Sequence, residues 1–181
     1  MFHVRQHSAF SKFQFQIFST DDRPIAELEW PWFAQAKKER LKAFSEGSEV
    51  GDVLVRLASA RAASTEYRIG LEFLSTSKRQ DVRFTLHQGG EPLALAEALF
   101  PKERLKRSRV EILSPLNATM VRHGSLGKLH YCWERDGRTL GTIEEPSRFS
   151  LKRSLTVNLP STISLPVQIF MSFLVINDGF L

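Results

Sequence analysis

Apolar and polar residues alternate with a period of two along most of the chain. Side chains of a β-strand point to opposite faces in turn, so this alternation predicts strands that are buried on one face. The clearest alternating stretches are 13–17, 26–30, 53–57, 67–73, 82–86, 129–133 and 140–143. Shorter or less regular candidates are 93–99, 110–112 and 149–159. The stretch 93–99 is ambiguous because alanine is a poor strand former.

Turn-forming residues separate these stretches. The strongest signals are Ser19–Pro24, Gly89-Gly90 and Asp136-Gly137, and such dipeptides favour tight hairpins. Short strands that recur roughly every 8–12 residues with turns between them are typical of an antiparallel sandwich or barrel. The predicted fold class is therefore mainly β.

Two segments depart from this pattern. The segment from Phe33 to Phe44 contains good helix formers with apolar residues near one face, which predicts a short amphipathic surface helix. The segment from Leu165 to Ile176 is apolar on every side of a helical wheel, interrupted by Gln168 and Ser172. A helix that is apolar all round must be buried all round. We therefore expect a closed barrel of strands with this C-terminal helix inside it.

Composition adds little to this architecture. The 181 residues suit one domain spanning 1–181, and 14 phenylalanines indicate a large dry core. No disulfide can form within the chain, because Cys132 is its one cysteine. We find no apolar signal core near the N-terminus and no apolar run of the length that crosses a bilayer. These features predict a cytoplasmic protein without a transmembrane span.

Three stretches of the chain resemble the tubby C-terminal-like superfamily. Residues 15–26 are similar to its opening hairpin, a strand, an acidic turn and a return strand. Residues 131–143 resemble its recurring strand, Asp-Gly turn and strand, and residues 165–178 resemble its closing core helix. This superfamily includes the plant LURP-one-related proteins, the phospholipid scramblases and many bacterial proteins.

The resemblance implies a fold and a class of ligand. It implies about twelve antiparallel strands closed around the terminal helix. In some relatives the barrel surface binds phosphoinositides through lysine and arginine. The chain departs from the scramblases, because Val157–Ile163 contains no carboxylate and there is no cysteine cluster. Calcium-dependent lipid scrambling is therefore not expected.

The sharpest charge feature is a basic run between two predicted strands. It comprises Lys102, Arg104, Lys106, Arg107 and Arg109, with Glu103 as its one acid. Such a run favours multivalent anions, above all an anionic phospholipid surface to which the protein would bind peripherally. The net charge of +5 agrees with this preference. The alternative is a solvated loop without a ligand. Four further cations could join the run in space: Arg122, Lys128, Lys152 and Arg153.

Other classes of function find less support in the sequence. The five histidines show no metal-ligand spacing and no nucleotide-binding glycine motif occurs, so no metal or cofactor is expected. His123-Gly-Ser-Leu-Gly127 only superficially matches a nucleophile elbow. Nucleic-acid binding is disfavoured because the basic run lacks interleaved aromatic residues. The sequence predicts a non-enzymatic binding module, with an enzyme assembled from distant residues and a protein-interaction scaffold as alternatives.

Overall fold

The protein is described by a computed structural model. The structure describes residues 1–8, 13–31, 51–58, 65–74, 81–99, 109–124, 128–146 and 152–178. The amphipathic helix predicted from Phe33 to Phe44 lies outside these residues, as do Lys102, Arg104, Lys106 and Arg107.

The described residues form twelve antiparallel strands and one helix. The strands are β1 (Phe2–Gln6), β2 (Gln14–Ser19), β3 (Pro24–Glu29), β4 (Val53–Leu57), β5 (Thr65–Phe73), β6 (Val82–Gln88), β7 (Glu91–Leu99), β8 (Arg109–Ser114), β9 (Ala118–His123), β10 (Leu129–Arg135), β11 (Arg138–Glu145) and β12 (Ser154–Asn158). Each strand pairs with its neighbours in the chain, and β1 pairs with β12, so the sheet closes into a barrel. The predicted closed antiparallel barrel is confirmed.

The strands form because their inward positions are apolar and their outward positions are polar. Phe15 and Ile17 on β2 and Val53 and Val55 on β4 are buried, while their chain neighbours are partly exposed. The ambiguous alanine-rich stretch is strand β7, and its inward residues are Ala94, Ala96 and Ala98. Small side chains on this wall leave room in the interior, as is common in filled barrels.

The interior is filled by the C-terminal helix, Leu165–Asp178, which we call the central helix. Its twelve residues from Pro166 to Asn177 are all buried. The backbone amide of Gln168 donates to the carbonyl oxygen of Ser164, and this bond is the first of the helix. The ring of Phe173 makes edge contacts with rings from the wall: Phe13, Trp30 and Phe84. The prediction of a buried helix is therefore confirmed, and the helix extends two residues beyond the predicted Ile176.

The tight turns follow the sequence signals, whereas two strands do not. Asp136 and Gly137 both have positive φ, 51° and 72°, as a two-residue hairpin turn requires. Strands β1 and β9 were not predicted. In β9 the inward positions are Ala118, Met120 and Arg122, so a cation interrupts the apolar alternation.

Candidate functional site

The two ends of the barrel have different connections between strands. We call the end that contains Asp178 the upper mouth and the end that contains Leu165 the lower mouth. Because the strands alternate in direction, odd-numbered strands end at the upper mouth and even-numbered strands begin there. The upper connections are 7–13, 30–52, 74–81, 100–108, 124–128 and 146–153. The lower connections are 20–23, 58–64, 89–90, 115–117 and 136–137, and 159–164 leads into the helix. Most of the lower connections are shorter than the upper ones.

The charge of the chain is divided unevenly between these two sets. The upper connections contain 15 of the 25 lysines and arginines and 6 of the 20 aspartates and glutamates, a net charge of +9. The lower connections contain 2 basic and 3 acidic residues, a net charge of −1. The strands and the central helix contain the remaining 8 basic and 11 acidic residues, a net charge of −3. The excess positive charge of the chain therefore belongs to connections that begin and end at one mouth.

The predicted basic run belongs to this upper set. The connection 100–108 joins β7 to β8, and Arg109 is the first residue of β8. The guanidinium of Arg109 forms an ion pair with Glu111 on the same strand, and its side chain is 66% exposed. Arg109 is the one member of the run whose position is described, and it lies at the upper mouth.

Two of the four cations that could extend the run point into the barrel instead. Arg153 donates to both carboxylate oxygens of Glu145, over 2.8 and 2.9 Å. Its remaining terminal nitrogen donates to the carbonyl oxygen of Ile176 over 2.6 Å. Arg122 forms an ion pair with Asp178 at 3.3 Å. Arg122 and Arg153 therefore do not belong to an external patch, because Arg153 donates to the last turn of the helix and Arg122 pairs with Asp178 at its end.

These arginines meet the electrostatic need of the helix terminus. The last carbonyl groups of a helix lack internal partners and carry a partial negative charge. The last turn of the central helix contains no basic residue of its own. The barrel wall supplies Arg122 and Arg153, while Glu145 and Asp178 balance their charges. The floor of the upper mouth is thus a buried, charge-balanced cluster rather than a vacant cationic site.

Tyr131 is the neutral member of this buried cluster. It is 1% exposed and lies opposite Arg122 in the pairing of β9 with β10. Burial raises the pKa of its phenol above the ordinary value, and the nearby Asp178 carboxylate adds to the rise. The phenol therefore keeps its proton to a higher pH than an exposed tyrosine does.

The outer wall of the barrel uses its arginines in pairs with carboxylates. Arg83 donates two hydrogen bonds to Glu97, of 3.0 and 2.8 Å, and these raise its pKa further above the ordinary value. Further ion pairs join the wall arginines to carboxylates: Arg5 to Asp22, Arg56 to Glu29 and Glu66, and Arg68 to Glu66. The positive charge of the wall is therefore largely neutralised by neighbouring carboxylates.

The fold also brings together residues that look scattered in the sequence. His3, His130 and His123 lie in one transverse row on the outer wall, joined through Thr156 and Glu144 on the intervening strands. Nδ1 of His130 is 3.5 Å from Oε1 of Glu144. Sequence spacing could not reveal this row, because strand register creates it. No three potential ligands among the described residues are placed to hold a metal ion.

Cys132 lies between Tyr131 and Trp133 on β10 and is 9% exposed. Burial raises the pKa of its thiol, and the nearby Glu134 carboxylate adds to the rise. A thiolate is the nucleophilic form of cysteine, so these surroundings make Cys132 less reactive.

Comparison of the chain with protein-family models, with curated proteins and with solved structures finds no match. Among the described residues, no helix has both the length and the apolar character needed to cross a membrane.

Proposed function

We propose that the protein is a tubby C-terminal-like domain that binds anionic phospholipid, peripherally and without catalysis, through the upper mouth of its barrel. The observation that carries this proposal is the charge division described above: connections that begin and end at one mouth carry a net charge of +9, or +8 once the inward-pointing Arg153 is set aside, whereas the strands and helix carry −3. The twelve-stranded barrel around a buried helix supports the resemblance on which the ligand class depends.

The physical argument concerns shape as well as sign. A membrane is a flat anionic surface, and each lysine or arginine close to it contributes about 1 kcal/mol. Cations carried by several connections at one mouth can approach such a surface together. An approach by the wall would instead bring outward carboxylates such as Glu27, Glu72 and Glu144 toward the lipid. We therefore infer that the barrel stands with its upper mouth toward the membrane.

Co-sedimentation with vesicles tests this function. We expect the protein to bind vesicles that contain phosphatidylserine and to remain free with vesicles of phosphatidylcholine alone. Reversal of three cations of the basic run, with Lys106→Glu, Arg107→Glu and Arg109→Glu, should weaken binding by about a hundredfold or more, since each contact contributes about 1 kcal/mol. Added salt should weaken binding of the unaltered protein as well.

A matched triple variant separates position from total charge. Arg23→Glu, Arg135→Glu and Arg138→Glu make the same change in net charge at or beside turns of the lower mouth. We expect this variant to retain most of its binding. Equal loss in the two triple variants, or binding that does not depend on anionic lipid, would show that the upper mouth is not a phospholipid site.

A further inference from the structure

A second site lies on the outer wall of the barrel, around Gly70. This glycine is in the interior of β5, a nine-residue strand. Glycine within a strand weakens it, and it often marks a bulge, a bend or a place that another group approaches closely. The pairings of β5 with β4 and β6 contain no bulge, and the φ angle of Gly70 is not positive.

Steric demand does not explain this glycine either. A Cβ atom added at Gly70 would meet its nearest neighbours at 3.7–4.0 Å, which is ordinary van der Waals contact. Gly141 on β11 is different, because a Cβ atom there would lie 2.7 Å from the carbonyl oxygen of Asn158. The fold therefore requires glycine at position 141. At position 70 there is room for a side chain, and because glycine has none, a depression remains in the wall.

The depression is lined by polar groups. The space above Gly70 is a pocket of about 230 Å³, bordered on the described residues by Gly51, Asp52, Leu71, Glu72, Thr85 and His87. The added Cβ atom would be 3.7 Å from Oδ1 of Asp52 and 3.9 Å from Nε2 of His87. These distances place a carboxylate oxygen of Asp52 and a ring nitrogen of His87 beside the space above Gly70.

The side chains of the pocket are available to a ligand. Those of Asp52, Thr85 and His87 make no hydrogen bond or ion pair with another described residue. Glu72 at the rim accepts one bond of 3.3 Å from Arg83, whose shorter bonds go to Glu97. The described lining contains two carboxylates and neither lysine nor arginine, so the pocket favours a cation that donates hydrogen bonds.

We propose that this pocket binds a primary ammonium group. Its N–H donors suit the acceptors that border the depression: the carboxylate of Asp52, Nε2 of His87 and, at the rim, the carboxylate of Glu72. The pocket is smaller than the sites of about 300 Å³ and more that hold drug-sized ligands, and it suits a short alkylamine or one lysine side chain. It lies on the wall beside the upper connection 30–52, and its occupation can be measured without phospholipid.

Amide chemical shifts measured by NMR test the proposal with two amines. n-Butylammonium represents a free alkylamine, and Nα-acetyl-lysine methylamide represents a lysine side chain of another protein. We expect saturable shifts at Gly70, Thr85 and His87 with a dissociation constant of about 1–10 mM, as befits a ligand of few atoms. The tighter of the two amines identifies the source. n-Butanol, which has the same shape without the charge, should cause no saturable shift.

Three variants complete the test. Asp52→Asn should weaken amine binding about tenfold by removing a charged acceptor, whereas Glu144→Gln removes a carboxylate from the opposite wall and should leave binding unchanged. Gly70→Val should fill the depression and abolish binding without lowering the melting temperature, since valine favours strands. The proposal is overturned by the absence of saturable shifts, by equal effects of Asp52→Asn and Glu144→Gln, or by a folded Gly70→Val protein that still binds. If Gly70→Val does not fold, the comparison of Asp52→Asn with Glu144→Gln decides the question.

Discussion

The two ends of the central helix are closed by different chemistry. At the lower mouth the groups are neutral: the side-chain amide of Gln168 donates to the carbonyl oxygens of Ile163 and Pro160, over 2.7 and 3.2 Å. At the upper mouth they are ionic, with Arg153 on Glu145 and on the carbonyl of Ile176, and Arg122 on Asp178. The upper arrangement satisfies a carbonyl group of the last helical turn, whereas the lower one satisfies two carbonyl groups of the segment that leads into the helix.

The difference shows that the arginines of the upper mouth have two separate uses. Arg122 and Arg153 stabilise the fold from inside, where each cation has its own buried carboxylate. The proposed lipid contact depends instead on the other cations of the upper connections, above all those of the basic run. The charged side chains at one end of the barrel therefore do not all belong to one surface. Those that point inward must be set apart before the charge of the outer surface is counted.

The ionic end should be the more sensitive one. Glu145→Ala leaves the guanidinium of Arg153 inside the barrel without its carboxylate partner, and breaking a buried pair in this way costs about 3–5 kcal/mol. Glu145 is 1% exposed and the side chain of Arg153 is 18% exposed, so water can replace only part of the lost contact. Urea denaturation followed by tryptophan fluorescence measures the loss. Glu97→Ala, which breaks the exposed pair with Arg83, is the control and should change the free energy of unfolding far less. Equal losses would mean that the inner pair has no special role.

The neutral end should lose less. Gln168→Met keeps the volume of the side chain and removes its hydrogen bond to the Ile163 carbonyl, which we expect to cost about 1–3 kcal/mol in the free energy of unfolding. Ser172→Ala removes only a second bond to the Gln168 carbonyl, a group that the helix backbone already uses, and it should cost less than Gln168→Met. A larger loss in Ser172→Ala than in Gln168→Met would contradict this account of the lower mouth.

The smallest effect concerns Tyr131 and is visible only at alkaline pH. Its folded pKa is raised above the ordinary 10.0 by burial and then by the Asp178 carboxylate. Above about pH 10 the unfolded chain releases the phenolic proton while the folded protein retains it, so stability falls as pH rises through this window, by at most about 1.4 kcal/mol per pH unit. Below it the contribution is constant. Tyr131→Phe should therefore show a shallower alkaline loss in urea denaturation than the unaltered protein. Parallel curves for the two proteins would contradict the assignment.

Much of the fold could be predicted because the strands and the helix of the barrel each have a local pattern of apolar residues. Alternation revealed most strands, as on β2 and β4, and an all-round apolar segment revealed the central helix. Strand β9 was missed because Arg122 occupies an inward position. There it pairs with Asp178, which is 56 residues away in the chain. Strand β1 did carry a signal, Phe2 and Val4 alternating with His3 and Arg5, but it is only five residues long.

The sites were harder to predict because they depend on register and closure. The basic run was visible as a cluster of lysines and arginines in the sequence. The sequence alone could not show that Arg122 and Arg153 point inward and do not extend this run. The pocket at Gly70 needs three neighbouring strands before Asp52 and His87 meet above one glycine. An isolated glycine in a strand is a weak signal that could have directed attention to that place.

The order of elements along the chain has a consequence for biosynthesis. The twelve described strands all precede the helix that fills the barrel. The ribosome therefore synthesises the barrel strands before the central helix. Until residues 165–178 emerge, inward side chains such as Phe15, Val55 and Leu86 have no apolar partner at the centre and expose surface that promotes aggregation. Stalled or truncated nascent chains of this protein should therefore be strong clients of molecular chaperones.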